Sequence, residues 1–214
     1  MDDLAGLPAV LQLADWRHRI FSLYAEVRSA AARDPEAAWR TWVGARETLY
    51  RTHPQSPLPA DVRVEGRLPF HFAYDPAWRL AVEVRQLEEV APDDDAVRRV
   101  EVGGDGQLAM SPALMTVGLE ARLGRELTVF RLRGYGGGLF LPFRDGTSGA
   151  QTYGGGRYLL DTIKGADLGH ARGRLWLDFN FAYHPSCCHD PQWTCPLSPP
   201  ETSTDVAIEA GERL

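Results

Sequence analysis

The hydrophobic pattern of this chain changes its period once, near Pro57, and that change limits the folds that the chain can adopt. Across residues 10–27 apolar side chains recur every three or four positions, which is the spacing of a helix with one buried face. Residues 34–36 then supply an aspartate cap, a proline suited to the first helical turn and a glutamate that complements the helix dipole. Residues 53–54, His-Pro, end this second pattern. We therefore predict an antiparallel helical hairpin within an N-terminal segment, residues 1–56.

Beyond residue 57 apolar and polar residues alternate, which is the period of a half-buried strand. The further candidate strands are residues 70–74, 80–85, 97–102, 107–110, 115–123, 126–132, 139–143, 157–162, 174–183 and 206–208. Glycines in residues 103–106 and 124–125 predict hairpin turns. No helical pattern separates the candidate strands, so we predict a mainly β domain over residues 57–214, α+β with the hairpin included. Its form is an antiparallel β-sandwich or a partly closed β-barrel.

The charge and the cysteine content narrow the class of protein. The net charge of −6 argues against a nucleic-acid binder, since phosphate contacts need clustered basic residues. No stretch approaches the roughly 18 apolar residues of a membrane span, and residues 1–4 do not resemble a secretion signal. All three cysteines lie within residues 187–195, unlike a secreted disulfide framework. We expect a cytoplasmic protein that binds neither nucleic acid nor membranes; its oligomeric state stays open.

Polar side chains crowd the connection that follows residues 139–143. They include a carboxylate, three hydroxyls, a phenol and a guanidinium: Asp145, Thr147, Ser148, Thr152, Tyr153 and Arg157. One interpretation is a ligand site in which Arg157 holds an anionic group, Asp145 acts as a base and Tyr153 donates a hydrogen bond. The other is that these side chains only order the loop, with Asp145 paired to Arg157.

A second group of candidate residues lies on the strand predicted at residues 174–183. Side chains two positions apart point to the same face of a strand, so Trp176, Asp178 and Asn180 are expected on one face. If that face lines a barrel mouth, Asn180 binds a polar ligand and Asp178 is a candidate general base. If it faces water, both are ordinary surface residues, although Trp176 argues against full exposure.

The sulfur and imidazole ligands of the chain are densest just after this strand. His184, Cys187 and Cys195 are the residue types that bind Zn²⁺, but neither a paired Cys-x-x-Cys nor a zinc-finger interval is present. Two alternatives stay open: a local disulfide or redox pair of Cys187 with Cys195, and buried thiols that pack as small apolar groups. No cofactor is predicted, and zinc remains the alternative.

Several motifs of this region resemble the bacterial and archaeal family known as domain of unknown function 1684. The matching positions are Phe143, Asp145, Thr147 to Gly149, Thr152, Tyr153, Gly156 to Tyr158, Asp178 to Asn180, Ala182, Tyr183, Pro185, Cys187, Cys195 to Leu197, Pro199 to Glu201 and Ala210 to Glu212, with residues 53–58 in agreement. Residues 202–205, Cys188 and His189 depart from the pattern. The resemblance covers most of the chain and implies kinship, but no activity.

The leading hypothesis from the sequence is a protein that binds a small polar or anionic molecule. The site would combine the connection 145–157 with the strand that carries Asp178 and Asn180, and any catalysis would be metal-independent proton transfer or hydrolysis. The alternatives are a non-enzymatic structural or protein-interaction domain, and a Cys/His metal-binding protein. The sequence does not decide whether the protein is an enzyme.

Overall fold

Two antiparallel helices open the computed structural model of the protein, which describes residues 4–101 and 106–214. Helix α1 spans Ala9–Ala31 and helix α2 spans Pro35–Thr52. The side chain of Asp34 caps α2 by accepting a hydrogen bond of 2.9 Å from the N–H of Ala37. The helical hairpin predicted from the sequence is confirmed. In the described part of the chain, no helix combines the length and apolar character needed to cross a membrane.

The rest of the chain forms a curled antiparallel sheet with short helices between some strands. The strands are β1 (Phe70–His71), β2 (Arg79–Gln86), β3 (Arg98–Glu101), β4 (Gln107–Val117), β5 (Thr128–Arg133), β6 (Gly138–Phe143), β7 (Arg157–Asp161), β8 (His170–Ala171), β9 (Arg174–Asp178) and β10 (Glu212–Arg213). The short helices are α3 (Ala60–Val64) and α4 (Glu120–Leu123). The strand order β7-β6-β5-β4-β2-β9-β8, with β3 also paired to β4, is antiparallel throughout, and β1 pairs separately with β10.

The curl of the sheet brings its two ends together. Tyr158 on β7 forms an isolated antiparallel bridge with Tyr183, which follows β9. The main chain hydrogen bonds between these residues are 2.8 and 3.0 Å long. The result is a half-barrel with an N-terminal helical hairpin, which confirms the predicted fold class in its barrel form.

Apolar side chains from several strands of the curled sheet pack together in one buried cluster. Val82, Val129, Leu141 and Leu177 come from four different strands and belong to the same buried cluster. A second cluster joins the hairpin to the half-barrel, with Trp42 of α2 packed edge-on against Phe181 at a ring distance of 5.3 Å. The hairpin is therefore packed on the half-barrel through a shared core.

Several predicted strand boundaries were wrong. Strand β4 covers the 107–110 prediction and the first three residues of the 115–123 prediction, with a bulge between Pro112 and Leu114, while the rest of the 115–123 prediction leaves the sheet and ends in α4. A bulge adds one residue to the strand, so the alternation of apolar and polar side chains changes phase there. In the sequence this change of phase resembles the end of one strand and the start of another. Residues 206–208 lie outside the strands. The predicted strand end at Val102 and residues 103–105 of the predicted glycine turn 103–106 lie outside the described residues.

Candidate functional site

Arg157 binds the main chain of the C-terminal segment. Its guanidinium is 1% exposed and donates hydrogen bonds to the carbonyls of Ile208 (2.9 Å), Glu212 (3.1 Å) and Ala210. The nitrogen that donates to Ile208 also lies 3.4 Å from a carboxylate oxygen of Asp145. Burial lowers the pKa of Arg157, and the charge of Asp145 opposes this shift. The predicted Asp145–Arg157 pair is present, and most of the guanidinium donors already have partners within the chain.

The hydroxyls of the connection turn inward, toward Asp145. The carboxylate accepts hydrogen bonds from Thr147 (2.9 Å to each oxygen), from Ser148 (3.2 Å) and from the N–H of Ile208 (2.7 Å). The hydroxyl of Thr152 lies 2.9 Å from that of Thr147. Asp145, Thr147 and Thr152 are all buried, so this network orders the loop and ties it to the C-terminal segment.

Asp178 and Asn180 form a second network around a buried aspartate. Asp178 lies 3.1 Å from Arg79 and accepts hydrogen bonds from the side-chain amide (2.8 Å) and the N–H (3.1 Å) of Asn180. Asn180 in turn binds both the N–H and the carbonyl of Asp75, each at 2.9 Å. Burial raises the pKa of Asp178, against the effects of Asn180 and Arg79. These contacts fix the Asp75 turn against the end of β9.

The two networks are separate in the described residues. The hydrogen bonds of Asp145 and Arg157 share no residue with those of Asp178 and Asn180. One contact between the two regions is through aromatic rings: the guanidinium of Arg157 lies over the ring of Phe143, which packs edge-on against Phe179 at 5.2 Å. The structure therefore brings together the members of each predicted group without joining the groups by hydrogen bonds.

Tyr153, His184 and Cys187 make a third group. The N–H of Tyr153 donates to the Nε2 of buried His184 at 3.3 Å, and its hydroxyl lies 3.8 Å from the sulfur of Cys187. Burial, assisted by Cys187, raises the pKa of Tyr153 to about 12. Cys187, Cys188 and Cys195 are unpaired and half-buried. Within residues 4–101 and 106–214, no three His, Cys, Asp or Glu side chains are arranged to hold a metal ion.

A buried ion pair joins the helical hairpin to the C-terminal strand, and the sequence did not predict it. Arg46 of α2 contacts one oxygen of Glu212 at 2.5 and 3.1 Å, and both side chains are almost fully buried. The other oxygen accepts a hydrogen bond of 2.7 Å from the N–H of His184. Burial alone would raise the pKa of Glu212, but Arg46 and neighbouring imidazoles outweigh it and hold the pKa near 2. Arg46 lies over the rings of Trp42 and Tyr50 at 4.9 and 4.8 Å.

The imidazoles around this ion pair predict a loss of stability in acid. Burial lowers the folded-state pKa of His71 and His189 and takes that of His184 from 6.5 to about 4. Below pH 6.5 the unfolded chain therefore binds more protons than the folded chain, and the free energy of unfolding falls as the pH falls. For His184 the expected slope is about 1.4 kcal/mol per pH unit. Glu212 adds a loss of the same sign as the pH drops below 4.5.

Urea unfolding between about pH 7.5 and about pH 5 measures this slope. His184→Gln keeps an acceptor for the N–H of Tyr153 and is expected to flatten the slope, while His170→Gln, at an exposed position, leaves it unchanged. A stability that stays constant down to about pH 5 would contradict the prediction.

A groove lies beside Cys195, between β3 and the segment 195–199. It encloses about 580 Å³ and is lined by Asp95, Arg98, Arg99, Val100, Met110, Cys195, Leu197 and Pro199. Arg98 also pairs with Glu201, and Arg99 donates to the carbonyl of Pro92 at 2.5 Å. A smaller hollow of about 170 Å³ lies beside the bulge of β4. Of the residues predicted from the sequence, only Cys195 borders the larger groove.

The fold and the polar motifs define an α+β protein with an antiparallel half-barrel, and comparison with known proteins identifies its family. Residues 68–213 match the family described as "Protein of unknown function (DUF1684)", and the chain belongs to that family. The resemblance noted in the sequence is thus confirmed. No curated protein matches the chain. The chain is similar to the solution NMR structure of an uncharacterized protein from gene locus rrnAC0354 of Haloarcula marismortui, at 27% identity and a TM-score of 0.53, covering 82% of this chain and 94% of that one.

Proposed function

We propose that this protein binds a small anionic molecule with an apolar body in the groove between β3 and the segment 195–199. The observation that carries the proposal is the groove itself, since about 580 Å³ is within the size range of sites for small organic ligands. The interior of the half-barrel is a packed apolar core, whereas the groove is open to solvent along an edge that carries both charged and apolar side chains.

The lining of the groove has two chemical zones. Arg98 and Arg99 contribute two positive charges, Asp95 contributes one negative charge, and Arg98 is also paired with Glu201 outside the lining. Val100, Met110 and Leu197 supply apolar contacts, and the exposed fraction of Leu197 is 48%. Guanidinium groups suit carboxylate, sulfonate or phosphate, and apolar side chains suit an aliphatic or aromatic body. An amphipathic anion satisfies both zones, whereas a nucleic acid would need a far larger basic surface.

A fluorescent probe pair tests the proposal. Anilinonaphthalene sulfonate is an anionic amphiphile, and phenylnaphthylamine is its neutral counterpart. The double variant Arg98→Gln/Arg99→Gln is expected to bind the sulfonate about tenfold more weakly, because two partly exposed charge contacts contribute about 0.5–1 kcal/mol each. Binding of the neutral probe should change little.

Arg174→Gln is the matched control for this experiment. Arg174 is also an exposed strand arginine and pairs with Glu83 at 2.6 Å, but it does not line the groove. Its substitution should leave both probes unaffected. Equal sulfonate binding by the wild type and the Arg98/Arg99 variant would place the probe elsewhere and refute the proposal. Native mass spectrometry of untagged protein, compared with the denatured mass, additionally reports any molecule that co-purifies.

The second candidate is a structural or protein-interaction domain that binds no small molecule. It is supported by the inward hydrogen bonding of Asp145, Thr147 and Arg157, which are the residue types that suggested a ligand site. This candidate predicts no co-purifying molecule and equal probe binding by all variants.

A further inference from the structure

One of the two arginines of the groove also binds a carboxylate of the chain itself. Arg98 lines the groove and forms an ion pair with Glu201, which lies two residues beyond Pro199, the last lining residue of the segment 195–199. One guanidinium nitrogen contacts one carboxylate oxygen. The other oxygen of Glu201 is buried and has no hydrogen-bond partner among the described residues. The pair therefore uses a single contact, whereas a guanidinium can bind a carboxylate through two parallel hydrogen bonds.

The exposure of the two side chains limits the strength of this pair. The exposed fraction is 39% for the side chain of Arg98 and 43% for that of Glu201. An ion pair exposed to this degree favours the paired arrangement by no more than about fivefold. Burial raises the pKa of Glu201, but the hydrogen bond with Arg98 outweighs burial, so the pKa is lowered and the carboxylate is charged at neutral pH. A second anion near Arg98 can therefore displace it.

The backbones on both sides of the pair are fixed, so only the two side chains can rearrange. Arg98 lies in β3, which is paired with β4. Glu201 lies in a 3-10 turn whose last residue, Thr202, is fully buried. The carbonyl of Thr202 accepts a hydrogen bond of 3.1 Å from the N–H of Arg144, directly after β6. The distance between Arg98 and Glu201 is thus set by the fold, and the contact between them is set by rotamers.

A second guanidinium lies beside the same turn. Arg125 donates hydrogen bonds of 2.7 Å to the carbonyls of Pro200 and Ser203, on either side of Glu201 in the sequence. The Nε of Arg125 is buried and has no hydrogen-bond partner among the described residues. A carboxylate displaced from Arg98 therefore keeps a positive charge nearby, which reduces the cost of its displacement.

We propose that Glu201 competes with the anionic ligand of the groove for Arg98 and thereby sets the selectivity of the groove for charge. The inference rests on the proposed function, because it concerns the same site. In the exchange the anionic group of the ligand binds the guanidinium of Arg98, and the carboxylate of Glu201 turns toward Arg125. The exchange breaks no covalent bond and transfers no proton. An anionic ligand must displace Glu201, whereas a neutral ligand need not, so Glu201 lowers the affinity for anions alone.

Glu201→Gln in the full chain tests the inference with the two fluorescent probes. The variant is expected to bind anilinonaphthalene sulfonate about threefold to fivefold more tightly, because the competing charge is removed. Binding of phenylnaphthylamine should not change. Glu83→Gln is the matched control, since it removes one negative charge from the exposed pair with Arg174, away from the groove. It should leave both probes unaffected, and the unfolding midpoints in urea should show that both variants are folded.

The Arg98→Gln background separates competition from simple repulsion. Glu201 lies outside the lining of the groove, and at about 0.15 M salt its charge is screened over a distance of about 8 Å. If Glu201 acts through Arg98, Glu201→Gln should change sulfonate binding little once residue 98 is glutamine. An equal gain in both backgrounds would show that Glu201 only repels the probe, and it would overturn the inference.

The outcomes distinguish this inference from the proposed function. Weaker sulfonate binding by Arg98→Gln/Arg99→Gln, without tighter binding by Glu201→Gln, would support the groove as the site and overturn the role of Glu201. Tighter binding of the neutral probe by Glu201→Gln would also overturn it, because the substitution would then have altered the groove rather than freed Arg98. Sulfonate binding that none of these variants changes would refute both the inference and the proposed function.

Discussion

Glu212→Gln is expected to lower the free energy of unfolding by about 3–5 kcal/mol, the cost of leaving one member of a buried ion pair without its partner. Glutamine has nearly the shape of glutamate and can still accept the hydrogen bond from the N–H of His184. The loss of stability in Glu212→Gln therefore measures the effect of the carboxylate charge rather than of shape or hydrogen bonding. Arg46 would keep its positive charge among Trp42, Tyr50 and Tyr183, where burial disfavours ionisation and Glu212 is the main opposing influence.

Urea unfolding of a double-mutant cycle measures the coupling. Arg46→Met and Glu212→Gln should each be strongly destabilising, and the double variant should lose less than the sum, because neither charge is then left alone. The exposed pair of Arg174 with Glu83 is the control, since its removal should cost under about 1 kcal/mol. Losses that simply add up would show that Arg46 and Glu212 do not stabilise each other.

The location of this pair explains why its loss should affect the whole chain. Arg46 lies on α2, and Glu212 lies in β10, which pairs with β1. The ion pair thus connects the hairpin to the last strand, 166 residues away. If the hairpin is released first, hydrogen exchange should show α1 and α2 losing protection before the strands of the half-barrel do.

The elements that the sequence predicted well are those whose signals are local. The cap and proline of α2 and the spacing of α1 are properties of neighbouring residues, and both helices formed where expected. Strand alternation also located most of the sheet. It failed at β4, where the bulge after Pro112 shifts the register, and at the end of β9, where Asp178 caps the 3-10 turn Phe179–Phe181 instead of continuing the strand.

The C-terminal segment could not be predicted because side chains far away in the sequence hold it. Residues 206–208 look like a strand, but Ile208 bonds to Asp145 and Arg157, 63 and 51 residues distant. Gly211 carries a clearer signal, because its φ is +82° and any Cβ at this position would lie only 2.5 Å from the carbonyl oxygen of Ala182. Arg46 had a signal too, as a charged residue on an apolar helix face, but its spacing does not name a partner.

The candidate ligand-binding residues also show this difference between contacts that are local in the sequence and contacts that are not. Asp178 and Asn180 contact each other because they are close in sequence, and Asp145 reaches Arg157 across one connection. Whether two such groups converge depends on how the sheet curls, which no residue pattern reports. Arg98 and Arg99 were not predicted because their position beside the groove arises only when the segment 195–199 folds against β3.

Arg157→Met is the second substitution expected to have a large effect, again about 3–5 kcal/mol of stability. Methionine fills much of the apolar volume beside Phe143 but donates no hydrogen bonds, so the carbonyls of Ile208, Ala210 and Glu212 lose a donor. The Asp145 carboxylate also loses its only recorded ionic partner among the described residues. A ligand-binding role alone would instead leave the stability intact and remove only the binding.

Conservative variants distinguish these two roles of Arg157. Arg157→Lys keeps the charge but replaces a planar fork by a single point donor, so it should recover only part of the lost stability. Asp145→Asn combined with Arg157→Met removes both charges and should be less damaging than the sum of the two. Amide exchange should accelerate first at Ile208 and Glu212, whose N–H groups donate to Asp145 and to Ala182, because the guanidinium holds this segment against β7. If Arg157→Met left the exchange at these two amides and the unfolding midpoint equal to those of the wild type, Arg157 would not stabilise this segment. A ligand-binding role would then be favoured.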